Sequence, residues 1–154
     1  MHIREAHPSD HDALVGIWLR SVRATHAFLT EDDIQSLLPL VRDGALADLE
    51  LWVLTSDEGE PAGFMGLDGK TVEALFIAPE WLRRGGGRML LDHARSLTGG
   101  PLRVDVNEQN PDAVRFYEAC GFAVTGRSEV DSAGRPFPLL HMREPASPPS
   151  PRRR

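Results

Sequence analysis

Leu75-Phe76-Ile77-Ala78-Pro79-Glu80-Trp81-Leu82-Arg83-Arg84-Gly85-Gly86-Gly87-Arg88-Met89-Leu90-Leu91 joins an apolar strand, a bend at Pro79, a basic glycine turn and the start of a helix. Such a turn is an anion cradle. Three consecutive glycines clear side chains from the backbone and permit the positive φ values that aim successive N–H groups at one guest. The helix that follows contributes amides without intrahelical partners and the positive end of its dipole. Arg83, Arg84 and Arg88 add formal charge, so the expected guest is a phosphate or pyrophosphate. A P-loop is excluded, because it needs Gly-Lys-Ser/Thr where this chain has Gly87-Arg88-Met89. A dinucleotide fingerprint needs a small residue where bulky Leu90 stands, although Asp105 lies twenty positions after Gly85, where that fingerprint places its acid.

Upstream of the cradle, Leu51–Thr55, Ala62–Leu67 and Thr71–Ala78 read as three antiparallel strands, separated by turns at Asp57-Glu58-Gly59-Glu60 and Asp68-Gly69. A first strand, His2–His7, ends at Pro8. Ser9-Asp10-His11-Asp12 starts a helix with Leu14, Ile17, Trp18, Ser21, Val22 and Thr25 on one face. Thr30-Glu31-Asp32-Asp33 starts a second, with an Ile34, Leu37, Leu38, Val41 stripe and a bend at Pro39. Between the two helices lies an apolar linker holding His26 and Phe28. Downstream, the cradle helix runs to about Leu97 with Leu90, Ala94 and Leu97 inward, and stops at Gly99-Gly100-Pro101. The helical crossover allows the next strand, Leu102–Val106, to lie parallel to its partner. Asn110 caps a helix with Pro111 at its first position and an Ala113, Phe116, Tyr117, Cys120 stripe that Gly121 terminates. Ala123–Val130 and Phe137–Arg143 make a last hairpin.

With 154 residues, 41% of them apolar and 26% charged, the chain fits one domain over 1–144, followed by a Pro/Ser/Arg tail over 145–154 that is too polar to pack. A net charge of −6 argues against a nucleic-acid partner and makes the arginine cluster a focused site. A single cysteine, Cys120, rules out an intrachain disulfide, and there is neither a signal core nor an apolar run of membrane-spanning length. The expected location is the cytoplasm, with no membrane partner. No Cys/His spacing suggests a metal.

Ile77-x-Pro79 followed by Arg84-Gly85-x-Gly87-x-x-Leu90 resembles the acetyl-CoA pyrophosphate loop of the GNAT superfamily of acyl-CoA N-acyltransferases, with Leu82 standing where that loop usually has Gln or Arg. The run from Asn110 to Phe122 is similar to the family's Asn-x-x-Ala-x-x-Phe-Tyr-Glu-x-x-Gly-Phe helix, and the element order matches over roughly residues 2–143. The resemblance implies a mixed α/β fold, a mostly antiparallel, splayed sheet of about seven strands with about four helices. It implies acetyl-CoA as co-substrate, its pantetheine arm pairing with Leu75, Phe76 and Ile77 and its pyrophosphate on the amides of Leu82 and of Arg84 to Met89, through Gly85, Gly86, Gly87 and Arg88. Asn110 would lie on the pantetheine side, and Tyr117 near the sulfur as proton donor to the departing thiolate. A plain helix cap and a core tyrosine are the alternatives for those two.

An amine nucleophile must be neutral, and deprotonating a lysine at pH 7 costs roughly 4–5 kcal/mol against about 1 for an α-amine. Glu73 and Asp105, from opposite sides of the proposed splay, are the candidate bases; solvent-facing strand carboxylates are the plain alternative. Glu73 is placed on the strand face of Leu75 and Ile77. His26 is a third candidate, and with Phe28 it stands beside the expected acceptor site. Cys120 lies on an apolar stripe without a histidine partner in the sequence, so transfer is direct, in a ternary complex. The expected activity is N-acetylation of a primary amine, in a protein lysine or a small molecule, by a monomer or homodimer. An acyl-CoA sensor that needs the cradle but neither acid nor base is the rival reading.

Overall fold

In a computed structural model that describes residues 1–145, one seven-stranded sheet runs in the order β1 (His2–Glu5), β2 (Glu50–Thr55), β3 (Pro61–Asp68), β4 (Thr71–Ile77), β5 (Arg103–Asn107), β7 (Leu139–Arg143), β6 (Ala123–Ser128). Every neighbouring pair is antiparallel except β4 and β5. That one parallel pair follows from the helical crossover between them. Four α-helices cover the faces: α1 (His11–Thr25), α2 (Glu31–Leu40), α3 (Gly86–Thr98) and α4 (Pro111–Ala119). This is the mixed α/β arrangement anticipated above. Most of the expected tail, residues 146–154, lies outside the described residues.

The pleat divides the core in two. Val53 and Phe64 pack under α1 with Leu14, Ile17 and Trp18, while their chain neighbours Leu54 and Met65 face α3 with Leu90, Leu91 and Ala94. Successive strand residues point to opposite faces, so a central strand with both faces covered must be apolar throughout, as Ala62–Leu67 is. Each fully buried leucine or phenylalanine contributes about 1.5–3 kcal/mol.

Four readings need correction. β1 ends at Glu5, because the Asp10 carboxylate accepts from the His7 amide (2.7 Å) and from the Arg4 guanidinium (2.8 and 2.9 Å), pulling the chain into a 3-10 turn over Pro8–Asp10 before α1 starts at His11. Leu97 is 45% exposed. With Leu90, Leu91 and Ala94 all buried, the inward stripe is centred between Leu90 and Leu91, and the 100° step per residue carries it to Thr98, not Leu97. α2, capped by the Thr30–Asp33 box, runs through Pro39 into a single π-helical turn, Val41–Ala45. The last hairpin is shorter than expected: the Asp131 carboxylate accepts from the Ala133 and Arg135 amides (3.0 and 2.8 Å), folding that part of the strand connection into a turn and leaving Phe137 outside β7.

Candidate active site

The parallel pair is brief. β4 and β5 are in register only at Thr71 with Arg103 and Val72 with Val104, although β4 continues to Ile77 and β5 to Asn107. A bulge precedes the separation. Gly66 pairs with Ala74 and Leu67 with Val72, so Glu73 is an extra residue without a partner on β3. Its effect on the pleat is visible in the packing: Val72 joins the core under α3, whereas Ala74, two residues on, joins the core under α1. In an unbroken strand both would share a face. The reading that Glu73 simply continues the face of Leu75 and Ile77 is therefore corrected; it sits where the face flips.

Between the diverging strands opens a cleft of about 700 Å³, lined by Leu75, Phe76 and Ile77 on one wall and Val104, Asp105 and Val106 on the other. Along the first wall β4 pairs only with β3, leaving backbone donors and acceptors toward the cleft for an extended ligand.

At one end lies the glycine cradle. Arg83 and Gly85 are left-handed (φ 64° and 85°), and Gly85 caps α3. The first intrahelical amide is that of Met89, donating to the Gly85 carbonyl at 3.0 Å, and the Leu82 amide donates to Pro79 at 3.3 Å. Gly86, Gly87 and Arg88, the first three helical residues, therefore present the free amides of the helix start. Gly86 and Gly87 are already helical and owe their identity to close packing: a Cβ on Gly86 would meet Leu54 at 2.5 Å, and one on Gly87 would meet the Phe116 ring at 2.9 Å. The positive-φ role assigned to all three glycines thus holds only for Gly85. Arg84 lies over the Trp81 ring at 4.8 Å, a cation–π contact, and Leu82 is 41% exposed at the cleft rim. Open amides, a helix N-terminus and arginines suit a pyrophosphate, and the unpaired strand edge suits the amide-bearing arm of CoA, so the residues present fit that co-substrate.

α4 supplies the middle of the cleft. Asn110 is buried, and its side-chain oxygen accepts from the Ala113 amide at 3.3 Å; its NH₂ group remains to face the cleft. Tyr117 is 7% exposed, its ring set between Phe116 and Phe122 at centroid distances of 5.1 and 5.3 Å. Burial, followed by the neighbouring Cys120, pushes the phenol above its ordinary range, so Tyr117 keeps its proton at neutral pH. Burial likewise raises the Cys120 thiol, which makes it a poor nucleophile.

At the other end a second cleft of about 240 Å³ is walled by Phe28, Leu29, Leu37 and Phe137, with the Phe28 and Phe137 rings 5.9 Å apart. It shares Glu73, Asp105 and Asn107 with the large cleft, so the two carboxylates stand where the cavities meet. Burial, then the charges of Asp105 and Asp68, raises Glu73 above the usual carboxylate range. Asp105 receives a hydrogen bond from Nδ1 of His141 at 2.6 Å. His26 packs against Phe28 and Phe76 (5.3 and 6.4 Å), and burial lowers it to about 4. The Thr25 hydroxyl donates to the Ser21 carbonyl (2.7 Å), so it accepts from His26 Nδ1 (2.9 Å), leaving a lone pair on Nε2. A ring of that pKa is neutral at pH 7 and can accept a hydrogen bond through Nε2.

Asn107, Phe137 and His141 are not reached by reading the sequence. Asn107 stands one residue past the expected strand, Phe137 belongs to a loop read as strand, and His141 meets Asp105 only through a strand register 36 residues away. Among the described residues no cluster of His, Cys, Asp and Glu could hold a metal, and no helix is long and apolar enough to cross a membrane.

The Acetyltransferase (GNAT) domain family matches residues 41–143. Peptidyl-lysine N-acetyltransferase YjaB of Salmonella typhimurium is 47% identical over 142 residues, covering 92% of this chain and 97% of that protein. The solution structure of apo-form YjaB from Escherichia coli is similar at a TM-score of 0.86 and 44% identity, over 95% of this chain and 98% of that one. The PaiA N-acetyltransferase of Thermoplasma acidophilum, solved in complex with coenzyme A, shares the fold at a TM-score of 0.73 and 21% identity, over 93% and 97% of the two chains. A chain that matches this family over most of its length, and YjaB over nearly all of it, belongs to the GNAT acetyltransferases, and its reaction is the transfer of acetyl from acetyl-CoA to an amine.

Proposed function

We propose that this enzyme acetylates the side-chain amine of lysine in proteins or peptides, with Glu73 as general base and Tyr117 as general acid. The observation that carries the reading is the junction of the two cavities at Glu73 and Asp105. An acceptor reaching that junction through the small cleft meets two carboxylates, which favour a cationic amine, between aromatic walls that suit an unbranched alkyl stem. The similarity to the peptidyl-lysine N-acetyltransferase YjaB supports the same acceptor.

Glu73, its affinity for protons raised by burial and by Asp105, takes a proton from the ammonium directly or through one water. The freed amine attacks the thioester carbonyl, which the diverging strands would hold within reach. As the tetrahedral intermediate collapses and its C–S bond breaks, Tyr117 donates its proton to the departing sulfur, and the second proton, shed by the attacking nitrogen, restores the phenol directly or through water. Acetyl passes directly from thioester to amine, since the Cys120 thiol is raised by burial and does not line the cleft.

The test is a turnover panel with acetyl-CoA at saturation: an unstructured lysine peptide with a blocked N-terminus, the same peptide with lysine replaced by norleucine and a free N-terminus, a polyamine, and a bulky amine antibiotic. Mass spectrometry locates the acetyl group. The blocked lysine peptide should give the highest kcat/KM. Turnover confined to the free N-terminus or the polyamine would overturn the lysine reading.

A further inference from the structure

Three side chains on three neighbouring strands form a line that ends at the acceptor cleft. Asp105 on β5 lies directly across from His141 on β7, and the Nδ1···Oδ1 distance is 2.6 Å. The far nitrogen of the ring, Nε2, is 2.7 Å from the Ser128 hydroxyl on β6. Gly126 stands opposite His141 on β6, so no side chain competes for that place. A carboxylate only accepts, so Nδ1 carries a proton. Ser128 can donate to Nε2 when the ring is neutral and accept from it when the ring is charged; in both states Nδ1–H stays aimed at Asp105.

Stability does not explain the arrangement. The Asp105 and His141 side chains are 48% and 37% exposed, and pairs so open to water contribute about 0–1 kcal/mol. Direction does explain it. An exposed aspartate turns freely about its side-chain bonds, whereas one with Oδ1 held by a fixed imidazole presents its other oxygen in a single direction.

We propose that His141, braced by Ser128, is a positioning residue of the acceptor site: it holds Asp105 so that one carboxylate oxygen receives the incoming ammonium beside Glu73. The proposal rests on the reading above, in which the amine passes between Glu73 and Asp105. No covalent step is added.

The experiment uses the full chain, the best acceptor of the turnover panel, and the variants His141→Leu, His141→Asn, Ser128→Ala, Asp105→Asn and Asp105→Asn with His141→Leu. CoA titration and thermal melts accompany the kinetics. His141→Leu should lower kcat/KM for the amine about tenfold or more, the loss expected for a hydrogen bond to a charged group, with the KM for acetyl-CoA, CoA affinity and Tm unchanged. His141→Asn places a side-chain N–H near the position of Nδ1 and should recover most of that loss; Ser128→Ala should give an intermediate effect. With Asp105→Asn already present, His141→Leu should add little, because it acts through Asp105. Equal losses in the Leu and Asn variants, or losses that simply add in the double variant, would overturn the positioning role. If Asp105→Asn alone behaves as wild type, the acceptor reading of Asp105 fails; if it is impaired while His141→Leu is not, only the role of His141 fails.

Discussion

Tyr117 and Glu73 are both pushed toward their protonated forms, and each shift serves an opposite half of one reaction. A phenol raised by burial does not ionise at neutral pH, so Tyr117 arrives at the transition state with its proton. Tyr117→Phe keeps the ring between Phe116 and Phe122 and removes only the donor, so kcat should fall ~10²-fold or more with CoA affinity unchanged. Steady-state kinetics beside calorimetric CoA titration checks this; wild-type turnover would reduce Tyr117 to packing. Glu73 acts only when ionised, so the acidic limb of kcat/KM should rise with pH through its raised pKa. Asp105→Asn removes a like charge beside it and should move that limb to lower pH. Glu73→Gln should cost ~10²-fold or more at pH 7, the remaining rate climbing about tenfold per pH unit toward the amine's own pKa. A Glu73→Gln profile parallel to wild type from about pH 6 to 10 would assign the proton to water or to another group.

The start of α3 does two jobs. Its free amides at Gly86, Gly87 and Arg88 and its dipole favour an anion, while the glycines themselves let the helix close against Leu54 and Phe116. A bulky substitution at Gly87 would therefore disturb Phe116 as well as the ligand. Arg88→Glu avoids that confusion, since the side chain is exposed and makes no ion pair among the described residues. It should weaken CoA binding about tenfold or more at low salt with Tm little changed, and the difference from wild type should shrink as ionic strength rises. Titration at two salt concentrations measures it, and unchanged affinity would remove Arg88 from the pyrophosphate site. α4 has the same double use in Asn110, whose oxygen caps the helix while its nitrogen remains for the cleft.

On the scale of the whole molecule, acid should weaken the fold in two windows. His26 is lowered to about 4 by burial, so the unfolded chain binds a proton near pH 6.5 that the native chain refuses; stability falls as pH drops from about 6.5 toward 4. Asp10, held down to about 2 chiefly by the Arg4 guanidinium, stabilises the native state above about pH 4, and that contribution is lost as pH falls toward 2. Thermal melts from pH 7 to 2 should show both, with His26→Gln flattening the first and Asp10→Asn the second, each by about 1–2 kcal/mol. If neither substitution changes the pH dependence of Tm, these groups are not what couples the fold to acid. Much of this molecule is legible in its sequence, because strand alternation, the Thr30 and Asn110 caps and the glycine turn are local chemistry acting within a few residues. By those means the chain alone determined the order of its elements and the cradle, whereas Tyr117 and the two carboxylates became candidates through the resemblance to the GNAT family. Where β4 leaves β5 was decided by the tertiary structure, since a bulge at Glu73 is defined only against its partner strand. Phe137 facing Phe28, and His141 holding Asp105, likewise depend on cross-strand register and loop closure between segments far apart in the chain, which no local pattern encodes.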